Sequence, residues 1–357
     1  MKKLVFDISG HGLGHASQTI PVLRYLHADH PDWEIILRTS VGDRIFNERL
    51  GFAFRRDASP SDVTLIMDGP AAPNAIASAN AYEALHANWD RRVALEADRL
   101  RYLEPDLLIS NVAYTSLAAA HTIGLNAVAL SSLNWLDVFD VYCASTPNYS
   151  RIRNQIFEAY AGAAAFIQLT PHTPMADLAN RRSVGSVGLM GKDRRAELNE
   201  RLRLPPDTRI VVVNFGGIPG VLPIPDVPSL ANVHWIVPTA MKGARTDCTD
   251  FENLAVPLLD LIASCDAIIT KPGYGAFVEA IANGARLLFT ERQGWPETPA
   301  LVAWATANGI AAAVPDGGAD LDLFAGRVAA VLAEPARQKL VLTGAAEAAD
   351  VIGTILR

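Results

Sequence analysis

The chain has little cysteine, no long apolar run and no excess of positive charge, and each shortage excludes a class of protein. Three cysteines in 357 residues, Cys143, Cys248 and Cys265, form neither a metal-ligand pair nor a disulfide framework, a usage that fits a reducing cytosol. The cytoplasm is therefore the expected location. After Met1-Lys2-Lys3 only a short apolar or near-apolar run precedes Ser9, too little for a signal-peptide core, and no stretch approaches the roughly 18 apolar residues of a membrane span. Lys and Arg number 31 against 38 Asp and Glu, a formal charge of −7. Without a long basic block, no nucleic-acid partner is expected. The short pairs Arg91-Arg92, Arg181-Arg182 and Arg194-Arg195 read as solvated helix faces. No amphipathic basic helix marks a lipid partner, so a peripheral membrane contact is left only to a small apolar patch on the first half. The oligomeric state is not legible.

What is present is an ordinary globular composition, half hydrophobic, in a chain long enough for two domains of roughly 150 residues. Short runs rich in Val, Ile and Leu alternate with longer amphipathic segments: Leu4 to Ile8, Glu34 to Arg38, Asp106 to Ser110, Asn126 to Ser131 and Phe166 to Leu169. This is the pattern of buried parallel strands joined by crossover helices. One long helix is expected over about Ala79 to Leu103, stopped by Pro105. Glycines and prolines gather after Thr170, and the alternation restarts with strands at Arg209 to Phe215, Val233 to Val237, Ala267 to Thr270, Arg286 to Thr290 and Gly309 to Val314. The expected organisation is an α/β protein of two doubly wound, Rossmann-like domains facing across a cleft. Residues 1–184 form the first domain and 185–343 the second. Residues 344–357 form a helix that crosses back to the first.

In such sheets ligands bind beyond the carboxyl ends of the strands, so the loops there carry the functional argument. The first is Ser9-Gly10-His11-Gly12-Leu13-Gly14-His15-Ala16. Its glycines allow backbone to approach a ligand, and the helix that follows offers free N–H groups. It is not a dinucleotide fingerprint, because the third glycine position is His15, and no acid for a ribose ends the second strand. A histidine here suits proton abstraction from a hydroxyl near neutral pH; His15, at the helix mouth, is the stronger candidate, and His11 also reads as a local hydrogen-bonding group. The second stretch is Thr270-Lys271-Pro272-Gly273-Tyr274-Gly275-Ala276-Phe277-Val278-Glu279. A strand end, a cation, two glycines and a helix start suit a diphosphate, and Glu279 lies one turn on, where a carboxylate can take both hydroxyls of a ribose. A plain turn with a surface Glu has the same pattern. Gly185 to Asp193 is not a P-loop, since Ser186 and Asp193 replace the required glycine and hydroxyl.

These residues together resemble the GT-B glycosyltransferases, which bind a nucleotide-sugar in the second half and an acceptor in the first. Gly12-Leu13-Gly14-His15 resembles the acceptor loop of the N-acetylglucosaminyltransferase of peptidoglycan synthesis. A closer resemblance is to the branch that includes the N-terminal half of plant arabinokinases. It rests on Ser9 to Ala16, on Ser131 with Asn134-Trp135, and on Lys271 to Glu279 followed by Glu297-Thr298-Pro299-Ala300-Leu301. The resemblance implies His15 as catalytic base or acceptor-positioning group, and a nearby acid such as Asp68 or Asp137 is expected to orient its imidazole. Gly10, His11, Gly12, Gly14, Asn134 and Trp135 would line the acceptor side. Gly216, Gly217, Lys271, Gly273, Tyr274, Gly275, Glu279 and Glu297 would hold the donor. It implies transfer from a nucleoside-diphosphate sugar, with uridine the default base, to an acceptor hydroxyl that the sequence does not identify. The course would be inverting, with no metal and no cofactor, the nucleotide-sugar being a substrate. Kinase activity is not expected, since no sugar-kinase phosphate loop appears. A nucleotide-sugar hydrolase or epimerase, and a non-catalytic nucleotide-sugar-binding protein, are the alternatives.

Overall fold

A computed structural model describes residues 2–58, 65–69, 72–216, 222–292, 294–335 and 338–357. The strands are β1 (Lys3–Ile8), β2 (Glu34–Arg38), β3 (Arg55–Asp57), β4 (Met67–Gly69), β5 (Ala72–Pro73), β6 (Leu107–Asn111), β7 (Ala127–Ser131), β8 (Ala165–Leu169) and β9 (Arg181–Val184) in the first half. In the second they are β10 (Arg209–Val213), β11 (Val233–Val237), β12 (Cys248–Asp250), β13 (Ala267–Thr270), β14 (Arg286–Phe289) and β15 (Ala311–Ala313). The first sheet has the order β3-β2-β1-β6-β7-β8-β9, the second β12-β11-β10-β13-β14-β15, and every neighbouring pair in both is parallel. Burial on both faces explains the unbroken Val/Ile/Leu runs. The expected pair of doubly wound sheets is what forms. The antiparallel ribbon β4–β5 stands apart.

Each sheet reverses its strand order at one place, between β1 and β6 in the first and between β10 and β13 in the second. That reversal splays the following loops and opens a crevice at the strand ends. His15 follows β1, Asn111 ends β6 and Lys271 follows β13, so both loops singled out in the sequence lie at such a crevice.

The halves share apolar surface. Ile20 and Leu23 of helix Gly14–Asp29, Phe277 and Ile281 of helix Tyr274–Ala282, and Ala348 and Ile352 of helix Gly344–Leu356 belong to one buried cluster. The last helix lies against Gly14–Asp29 and against β8 and β9 of the first sheet. A different buried group sits on the other face of that sheet: Arg38, fully enclosed, grips Asp7 through Nε and Nη2 at 2.6 and 2.7 Å and also bonds Glu96 and Ser116. Asp7 and Arg38 are direct partners in the β1–β2 register. Burial pushes the Glu96 carboxyl up, and the Arg38 charge opposes that.

The helix expected over Ala79 to Leu103 is two helices, Ala75–His86 and Trp89–Leu103. The chain leaves helical geometry at Asn88, with φ −125° and ψ 44°. The break lets the His86 and Trp89 rings stack at 4.7 Å. Periodicity carries across such a one-residue kink, which is why the pattern reads as continuous.

Candidate functional site

In the first half the site is a histidine held by an amide. The loop after β1 is tight: a Cβ on Gly10 would fall 1.9 Å from Ser40 Oγ, and Gly12 has φ +69°. Gly14 opens the next helix with open space beside it. His15, in the first turn, is 5% exposed, and its Nδ1 lies 2.7 Å from Asn111 Oδ1. The Asn111 amide nitrogen faces three acceptors, Thr19 Oγ1 at 3.1 Å and the His15 carbonyl and Gln18 Oε1 at 3.3 Å. Its oxygen therefore faces the ring, Nδ1 carries the proton and Nε2 is the basic nitrogen. Neither acid expected to orient His15 does so: Asp68 accepts from Asn74 Nδ2 at 3.2 Å and Asp137 from Thr173 Oγ1 at 2.9 Å.

The network continues into the second half. Gln18 Nε2 donates to Ser132 Oγ at 2.7 Å, and Gln18 Oε1 accepts from Ser131 Oγ at 3.0 Å. Ser132 Oγ in turn donates to Glu297 Oε1. Ser132, Gln18 and Asn111 thus connect the Glu297 carboxylate of the second half to the His15 imidazole of the first.

In the second half, helix Tyr274–Ala282 starts at Gly273 with no side-chain cap, so its first N–H groups are left for a ligand. Lys271 Nζ stands 3.9 Å from the position a Gly273 Cβ would take, placing the ammonium beside that helix mouth. A Cβ on Gly275 would meet Ser17 Cβ at 3.0 Å, so the helix mouths of the two halves touch. Gly216, three residues past β10, has φ +81° and donates its N–H to Asn214 Oδ1 at 2.8 Å. Gly217 lies outside the described residues.

Two residues that the resemblance places on the donor face inward instead. The Tyr274 hydroxyl donates to the Thr170 carbonyl and accepts from the Val187 N–H, both at 2.9 Å, tying the crossover between the halves to the helix. The Glu279 carboxylate accepts from Arg49 at 2.9 Å. It is 3% exposed and forms an ion pair between the halves.

The segment after β14 reaches into the first half. Trp295 joins the apolar cluster there and stacks on His11, with ring centroids 6.2 Å apart and planes at 10°. The Arg292 guanidinium lies 3.5 Å over the Trp295 ring, and Trp295 Nε1 donates to Glu297 Oε2 at 3.3 Å. Trp135 closes the wall, 5.4 Å from the His11 ring and 5.7 Å from that of His15. Asn134 caps the next helix through Asp137 N. Around this wall several buried atoms have no hydrogen-bond partner among the described residues: His11 Nε2, Asn134 Nδ2, Trp135 Nε1, Thr290 Oγ1, and Arg292 Nε and Nη2. Folded proteins leave few such atoms, and these stand where a ligand could reach them.

Burial shapes the charges. Withdrawal from water pulls His15 down to about 4, against the Asn111 hydrogen bond. It pulls His11 down to about 3, assisted by His15, Arg292 and Lys271. Both imidazoles are neutral near pH 7. Lys271 falls to about 8 and Arg292 to about 10, mainly by burial, while burial pushes Glu297 up. Among the described residues no group of three or more His, Cys, Asp or Glu is placed to hold a metal. The D-x-D spacing at Asp320-Leu321-Asp322 is a helix cap, Asp320 accepting from the N–H groups of Asp322 and Leu323 at 3.0 Å. A groove of about 450 Å³ lined by Trp89, Val93, His121 and Gln155 holds none of these groups.

The sequence brought out His11, His15, Trp135, Lys271, Gly273 and Glu297, which converge on the cleft. It missed Asn111, Gln18, Arg49 and Arg292. Asn111 had a signal, being the polar end of the strand beside β1.

Two parallel sheets wound this way and meeting at their strand ends have the arrangement of the GT-B fold. No protein-family model matches the sequence. The chain is 25% identical over 307 residues to an L-arabinokinase of Arabidopsis thaliana, covering 84% of this chain but only 29% of that protein. Among solved structures, the calicheamicin glycosyltransferase superposes with a TM-score of 0.65 at 14% identity, covering 100% of this chain and 98% of the other. The glycosyltransferase of kitacinnamycin gives 0.64 at 13% identity over 99% and 94%. A UDP-glucosyltransferase from Polygonum tinctorium gives 0.61 at 11% identity over 99% and 98%. The fold of this chain is therefore that of the GT-B glycosyltransferases from end to end.

Proposed function

We propose that the chain is a glycosyltransferase that moves a sugar from a nucleoside-diphosphate donor, UDP by default, to an acceptor hydroxyl, with inversion and without a metal. The observation that carries this reading is the juxtaposition of a neutral, tautomer-fixed His15 with the Lys271 ammonium at an uncapped helix mouth. The GT-B glycosyltransferase neighbours support it.

The acceptor hydroxyl enters beside Trp135 and Trp295. Its oxygen attacks the anomeric carbon as its proton passes to His15 Nε2. The bond from that carbon to the diphosphate oxygen breaks, and the electron pair leaves with the nucleoside diphosphate. Lys271 and the free N–H groups at Gly273 to Gly275 take up the developing charge. The shared apolar contact of the halves keeps water from competing. A cytoplasmic location fits the three free thiols.

The test is consumption of a panel of nucleotide-sugars with and without a pool of small hydroxylated acceptors, read by mass spectrometry. A glycosylated product that disappears in His15→Ala supports transfer. Donor consumption with water alone identifies a hydrolase, and no consumption with retained binding identifies a binding protein.

A further inference from the structure

Two of the buried arginines, Arg38 and Arg292, differ in one respect. Arg38 offers the edge formed by Nε and Nη2 to the two oxygens of Asp7. Arg292, 6% exposed, has the same two nitrogens buried without a hydrogen-bond partner among the described residues. Among the described residues its remaining nitrogen bonds the Pro272 carbonyl, at 3.4 Å. That edge is the one whose parallel N–H groups match the two oxygens of a carboxylate or phosphate.

Three further observations bear on the unpaired edge. The Trp295 ring 3.5 Å from the guanidinium fixes its plane, so its orientation is set before any ligand arrives. The bond to Pro272, the residue after Lys271, places both cations in one region. Their nearby carboxylate is Glu297, whose oxygens are already bonded by Ser132 and Trp295. A buried cation short of an anion is costly in an unliganded protein, and such a group is retained where a ligand supplies the anion.

We propose that Arg292 binds an anionic group of the cleft's ligand side-on, with two parallel N–H···O bonds from Nε and Nη2, the anion being a phosphate of the donor or a carboxylate on its sugar. The proposal rests on the nucleotide-sugar reading for the identity of the ligand, while the unpaired fork stands on its own geometry.

The test is titration calorimetry on the full chain with UDP, inorganic pyrophosphate, UDP-glucose and UDP-glucuronate, using wild type, Arg292→Gln and Arg292→Lys. Arg292→Lys keeps the charge and removes the fork, and the unliganded melting temperature checks that each variant folds. If the anion is a phosphate, UDP and pyrophosphate bind about 10- to 100-fold more weakly in both variants. If it is a sugar carboxylate, UDP binding is kept and a wild-type preference for UDP-glucuronate over UDP-glucose is lost by a similar factor. UDP that binds wild type and both variants equally, with no change in sugar preference, overturns the proposal and leaves the nucleotide-sugar reading standing. If UDP does not bind wild type, that reading falls. Pyrophosphate then decides Arg292 alone: binding lost in Arg292→Gln supports the fork, and binding unchanged or absent overturns it.

Discussion

Asn111 Oδ1 stands 2.7 Å from His15 Nδ1, and a neutral amide in that place fixes the tautomer of the ring without strongly favouring its charged form. His15 is held near 4, and a base must be unprotonated to work. Its contribution to rate is therefore flat above about pH 5 and falls as pH drops through about 4. Asn111→Asp puts a carboxylate beside the imidazole and raises its pKa, moving the acid limb upward by about 1 unit or more. Asn111→Ala removes the tautomer control and lowers kcat by about 10²-fold. A pH–rate profile of the three proteins checks both; an unmoved limb in Asn111→Asp contradicts the assignment.

Lys271 gives a second pH dependence of opposite sign. Its folded pKa of about 8 makes it charged below that value, and an anionic ligand prefers the charged form. Affinity for a nucleoside diphosphate should fall as pH rises from 7 to 9. Lys271→Arg, charged throughout, should show no fall over that range in the same titration.

Buried neutral histidines predict acid lability. His11 sits near 3, His15 near 4 and His86 near 4, all below the usual 6.5. Between about pH 6.5 and 4 the unfolded chain binds protons at these positions and the native chain does not, so their stabilisation is present above 6.5 and lost as pH falls. His86, bonded to Gln155 and Tyr114, lies outside the catalytic groups. The loss of melting temperature between pH 7.5 and 5.5 should be smaller in His86→Gln than in wild type.

The Arg49–Glu279 ion pair joins the halves with side chains 14% and 4% exposed. Arg49→Ala leaves a buried carboxylate with little compensation and should cost about 3 kcal/mol in denaturant unfolding. Removing both partners should cost clearly less than the sum of the single losses. Additive single effects would mean the pair carries no coupling.

Much of the fold was legible because buried parallel strands leave continuous apolar runs and their loops carry glycines. The loop from Gly10 to His15 and the block from Lys271 to Gly275 could be read because each is compact in sequence. What was not legible depends on tertiary distance. Asn111 meets His15 across 96 residues, Ser132 meets Glu297 across 165, and Arg49 meets Glu279 across 230, with no local spacing to mark them. Resemblance gave Tyr274 and Glu279 donor roles, whereas the Tyr274 hydroxyl meets the crossover segment and the Glu279 carboxylate meets Arg49. A sequence motif specifies backbone shape at such positions more surely than it specifies where a side chain ends.

Donor binding at Lys271 is read out by the melting temperature of the chain with saturating UDP, TDP, GDP and ADP, in wild type and Lys271→Ala. A ligand that binds only the folded chain must raise the midpoint by mass action. One base should raise it by several degrees in wild type and leave Lys271→Ala unmoved. No shift with any of the four at millimolar concentration would contradict the nucleotide-sugar assignment and leave the GT-B fold without its donor.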